Sequence, residues 1–96
     1  MEMEITFPGG KRVAASWDGL RVETDQPVRG GGGGTAAAPY DLFLASLGTC
    51  AGIYALGFLQ ARGLPTAGLA IRQRVAFDPQ TGLATSVSLE LTLPPG

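Results

Sequence analysis

Polar and apolar side chains alternate from Met1 to Phe7 and from Leu20 to Thr24, and Arg12 to Trp17 is a further strand candidate between them. A period of two predicts strands with one face turned toward a core. Pro8-Gly9-Gly10 reads as a turn, and Asp18-Gly19 is a strong hairpin signal. The first three strands therefore form a meander. The alternation resumes over Leu69 to Phe77, turns at Asp78 to Gly82, and returns over Leu83 to Leu93, where Pro94 and Pro95 stop it.

Between these two sets lies the longest apolar stretch of the chain, Pro39 to Gly63. Pro39 suits a first helical position, because its missing N–H would have no partner there. Asp41 complements the positive end of the helix dipole. Arg62, Gly63 and Pro65 close the helix. The predicted order is βββ-α-ββ, an α+β fold with an antiparallel sheet packed on a long central helix. Leu42, Phe43, Leu44, Leu47, Ile53, Tyr54, Leu56, Phe58 and Leu59 surround almost the whole helix, so no face is designed for water. A single sheet covers one side only. A second copy of the chain is expected to cover the rest, and Gly48, Gly52 and Gly57 offer places for close backbone approach.

Asp25 to Ala37 reads as a loop containing five consecutive glycines, Gly30 to Gly34. Its apolar content is too small to order it, which predicts mobility unless something holds it. A phosphate-cradling loop is a poor match, since no Gly-Lys-Ser/Thr follows and no buried strand leads in.

Composition narrows the chemistry. With 96 residues, 16% charged and a net charge of −1, the chain is expected to be one small domain. Its cations are spread out, which argues against nucleic acid. The acidic, alternating N-terminus does not read as a signal peptide. The helix carries Asp41, Gln60 and Arg62 and is broken by three glycines, so a membrane span is not expected. One cysteine forms no disulfide within the chain, and a cytoplasmic location is the default. The lack of histidine removes histidine-activated nucleophiles and histidine-based metal sites, and no metal or bound cofactor is expected.

The remaining chemistry centres on Cys50, midway along the helix. It reads either as a packed small hydrophobe or as a reactive thiol. The segment PYDLFLASLGTCAGIYALGFLQARGLP, Pro39 to Pro65, resembles the central helix of the OsmC/Ohr family. The family pattern has a proline, an acidic residue, an apolar run, small residues before a cysteine, and a Gly-Leu-Pro exit. The glycine-rich approach after Asp25-Gln26-Pro27 and the strand order also resemble that family, and more closely its OsmC-like branch than its dedicated organic hydroperoxide resistance proteins. The resemblance covers essentially all of residues 1–96.

It implies an intertwined homodimer and a peroxidatic cysteine that attacks an organic hydroperoxide, with an arginine and a glutamate orienting the thiolate. Cys50 matches the cysteine. Asp41 is the nearest acidic match, one methylene short, and Arg12 is the best match for the arginine. Asp41 also reads as a plain helix-start residue and Arg12 as an exposed strand-edge residue. The family's second, resolving cysteine and the C-terminal helix that carries it have no counterpart before Gly96, so an external thiol is expected to act as reductant.

Asp41 and Cys50 are nine residues apart, which on one helix means ~13 Å of rise and opposite sides. Any help from Asp41 or Arg12 is therefore expected from a partner chain or through a break in the helix. The resemblance thus implies a thiol-dependent hydroperoxide reductase acting in oxidative stress. The alternatives are a non-catalytic dimer holding an apolar ligand in the inter-helix cavity, or an inactive shortened form.

Overall fold

The computed structural model describes residues 1–95 and has the element order expected from the pattern. The strands are β1 (Glu4–Gly9), β2 (Arg12–Trp17), β3 (Leu20–Thr24), β4 (Ala70–Phe77) and β5 (Ala84–Thr92), with one α-helix, α1 (Pro39–Ala61). The chain divides into two compact units, Met1–Ala45 and the residues from Ser46 on.

In the first unit β1, β2 and β3 form an antiparallel meander in sequence order. Asp18 (φ 47°) and Gly19 (φ 78°) both take the left-handed conformation, the requirement of the type I′ turn that joins β2 to β3 in a Trp17↔Leu20 register. The β1–β2 turn is less regular. Thr6 pairs with Ala14 and Gly9 with Arg12, so β1 carries one extra residue, a bulge, around Phe7 and Pro8. Proline has no N–H to give a ladder, and the bulge is where its absence costs least. Strand β1 thus runs through residues expected to turn, and the reversal falls on Gly10 and Lys11. Ala14 of β2 is 1% exposed.

In the second unit β4 and β5 pair antiparallel over their whole length, Ala70↔Thr92 to Phe77↔Ala84. Half-buried Ile71, Gln73 and Val75 share one face of β4, while Arg72 and Arg74 project from the other. Among the described residues the strands therefore form two antiparallel sheets, of three and two strands, where the pattern suggested one. Each strand pairs with its neighbour in sequence, the arrangement with the shortest loops to close.

Helix α1 begins as the sequence requires. The Leu42 N–H donates to the Ala38 carbonyl, with Pro39 as the first helical residue. At the other end Gly63 (φ 63°) reverses the chain. Its N–H donates to the Gln60 carbonyl and the Leu64 N–H to the Leu59 carbonyl, the two bonds of a Schellman cap. Most side chains of α1 remain exposed, including Phe43, Leu47, Ile53, Tyr54 and Phe58; Leu44 and Leu59 are buried. By length and composition α1 could cross a membrane, a test that the core helix of a soluble protein also passes.

Candidate functional site

Cys50 lies on α1 in the second unit, and its thiol is exposed. The residues three and four positions away share its side of the helix. They are Leu47, Ser46, Ile53 and Tyr54, and the apolar members are exposed: Leu47 by 39%, Ile53 by 61% and Tyr54 by 77%. In the single chain Cys50 is therefore exposed beside apolar side chains. Two strand residues pass the same helix closely. A Cβ on Gly48 would strike the Gln73 side chain, and one on Gly52 would touch Ile71 Cδ1 at 4.0 Å.

Asp41 occupies the first turn of α1 and is exposed. Arg12 opens β2, also exposed, and its Nε donates to the Gly9 carbonyl at 3.4 Å. Asp41 and Arg12 belong to the first unit and Cys50 to the second, and among the described residues Asp41 and Arg12 make no ion pair with each other. Helix α1 runs unbroken from Pro39 to Ala61, so it contains no break that would bring Asp41 to the thiol. Among the described residues no group of histidine, cysteine, aspartate and glutamate has the arrangement of a metal site.

The residue that sequence reasoning missed is Asp25. It is 1% exposed, directly after β3, and organises the whole glycine loop. Its Oδ1 accepts from the Gln26 N–H at 2.7 Å. Its Oδ2 accepts from the Thr35 hydroxyl at 2.7 Å, the Thr35 N–H at 3.1 Å and the Gly33 N–H at 3.3 Å. The Thr35 hydroxyl, then the backbone donors of Thr35, Gln26 and Gly33, hold the Asp25 carboxyl at a pKa of about 2 against an ordinary 3.8. The other glycine amides are also engaged: Gly30 and Gly32 donate to Pro27, Gly31 to Val28 and Gly34 to Gln26. Gly32 must be glycine, because a Cβ would collide with the Gln26 carbonyl.

The loop is thus held by hydrogen bonds of its own, which its small apolar content did not lead one to expect. Apolar burial was the wrong criterion. An aspartate that opens a run of small residues, with a threonine closing it, was the available signal. All five amides are spent internally, so the loop has none left to cradle a phosphate.

A hollow of about 230 Å³ lies beside this loop, within the first unit. Gly9, Gly10, Lys11 and Arg12 form one wall, and Gly31, Gly32, Gly33, Thr35 and Asp25 the other.

Comparison with known proteins agrees with this architecture. The family model described as OsmC-like protein matches residues 31–96. The chain is therefore a member of the OsmC-like protein family. A crystal structure of a protein from Psychrobacter arcticus 273-4, assigned to osmotic stress induction and detoxification response, superposes with a TM-score of 0.80 at 22% identity. The match covers 98% of this chain and 70% of that one, and at such identity it establishes the fold alone. No curated protein matches.

Proposed function

We propose that this OsmC-like protein is a thiol-dependent reductase of organic hydroperoxides, with Cys50 as the attacking group and a dimer as the working form. The observation that carries the reading is the exposed thiol of Cys50 at the centre of the helix, inside the stretch that the family model covers. The apolar side chains of Leu47, Ile53 and Tyr54 favour an organic peroxide over hydrogen peroxide. The neighbour's assignment to stress and detoxification is consistent with a role in stress defence.

In the first step the Cys50 thiolate attacks the distal peroxide oxygen. The O–O bond breaks, an S–O bond forms, the alkoxide takes a proton, and an alcohol and a sulfenic acid result. The sulfenic acid then condenses with an external thiol, releasing water and leaving a mixed disulfide. A second external thiol attacks the sulfur of the first, forming a disulfide with it and releasing Cys50 as the thiol. A cation near a thiol favours the thiolate. Arg12, and with it Asp41, would act on Cys50 from a second copy of the chain.

Consumption of cumene hydroperoxide in the presence of a small dithiol tests the reading. Turnover by the wild type and none by Cys50→Ser supports it; equal rates for the two proteins rule it out. The exposed Ile53 and Tyr54 beside the thiol also favour a second reading, an assembly that holds an apolar ligand without reacting. In that case Cys50→Ser would bind a fluorescent apolar probe as the wild type does, and neither would consume peroxide.

A further inference from the structure

The hollow in the first unit contains Arg12, which the proposed thiol chemistry invokes, together with Lys11 and a glycine wall that it does not use. Lys11 and Arg12 are adjacent in sequence, and on a regular strand adjacent side chains point to opposite faces. Here both line one cavity, because Lys11 sits in the turn and Arg12 is the first residue of β2. Gly10, at φ 59°, supplies the reversal that puts them on the same side.

The opposite wall is built and held in place. Asp25 fixes it through four hydrogen bonds, and Gly31 (φ 89°) and Gly32 have backbone conformations or surroundings that exclude a side chain. The result is a hydrogen-bonded wall of Gly31, Gly32 and Gly33, flanked by Asp25 and Thr35, across the hollow from Lys11 and Arg12. A Cβ on Gly31 would lie 3.7 Å from Lys11 Cε, and one on Gly9 only 3.2 Å from Arg12 Nη2.

Charge favours the same conclusion. Among the described residues Arg21 and Arg74 are paired with Glu23 and Glu90, at 3.0 and 3.3 Å, whereas Lys11 and Arg12 have no ion pair. The one carboxylate in the hollow, Asp25, is already satisfied by four donors and almost wholly shielded from solvent. Two cationic residues therefore line the hollow against one carboxylate, which already accepts four hydrogen bonds. A planar guanidinium beside an ammonium suits an oxyanion, the first as a fork and the second as a point charge.

We propose that this hollow binds a small oxyanion, a carboxylate or a phosphate, held by Lys11 and Arg12. The grip comes from the two side chains, since the glycine amides are spent within the loop. The site shares Arg12 with the proposed thiol chemistry, but anion binding is read without peroxide and does not need Cys50.

Amide NMR of the labelled protein, titrated separately with sodium acetate and sodium phosphate at constant ionic strength, tests it. Saturable shifts at Gly10, Lys11 and Gly31 to Gly33 are expected, and whichever anion saturates at the lower concentration identifies the source. Lys11→Gln and Arg12→Gln should each weaken binding roughly five-fold, and Arg74→Gln should leave it unchanged. No saturable shift with either anion up to roughly 20 mM would overturn the proposal. Shifts of undiminished affinity in both Lys11→Gln and Arg12→Gln would overturn it equally.

Discussion

Asp25 and Cys50 are singular residues placed in opposite ways. The carboxylate is 1% exposed on a loop, surrounded by donors; the thiol is exposed on a helix, surrounded by apolar groups. For Asp25 the consequence is a dependence on acid. Its folded pKa of about 2 lies below the ordinary 3.8, so its stabilising contribution is complete above the ordinary value and is lost as pH falls toward about 2. Asp25→Asn removes this dependence, and also turns an amide N–H₂ toward backbone donors. The variant should be less stable near neutrality, and its circular dichroism should show a shallower loss of structure between those two pH values. Cys50 was legible because its flanking residues form a family pattern. Asp25 was not, because its partners, Gly33 and Thr35, lie eight and ten positions away and interact only once the loop has folded.

At the scale of elements, the helix and the Asp18-Gly19 hairpin were readable because each is specified by neighbours in sequence. Pro39 and Gly63 mark the helix ends by local backbone requirements, and the structure has the Schellman cap that Gly63 implies. Gly63→Ala should accordingly cost about 1 kcal/mol in urea denaturation, because φ 63° is unfavourable for any residue with a Cβ. The glycine loop is less forgiving. Gly32→Ala drives a Cβ into the Gln26 carbonyl, and a loss of about 2 kcal/mol or more is expected by the same measurement. The bulge in β1 and the division into two sheets were not readable. The first depends on how Pro8 meets β2, and the second on which strand edges meet, and neither is encoded in alternation.

For the whole molecule the pattern's most specific message was the helix with no polar face. The structure retains it: Phe43, Ile53, Tyr54 and Phe58 are each more than half exposed, at 60, 61, 77 and 54%. Large apolar side chains left open along a helix in this way mark an interaction surface, which is the physical basis for the proposed dimer. Analytical ultracentrifugation should show a dimer for the wild type, and Tyr54→Glu should shift it toward monomer; a wild type that sediments as a monomer would remove that basis. The dimer is also what the proposed chemistry needs, because α1 has no break to bring Asp41 to Cys50. The most direct measurement is the intact mass of the protein after one equivalent of cumene hydroperoxide, with and without a sulfenic-acid trap. The account predicts one added oxygen per chain without the trap and one trap adduct per chain with it, each located at Cys50 and absent from Cys50→Ser. A thiol that remains unmodified while the peroxide is untouched would contradict it.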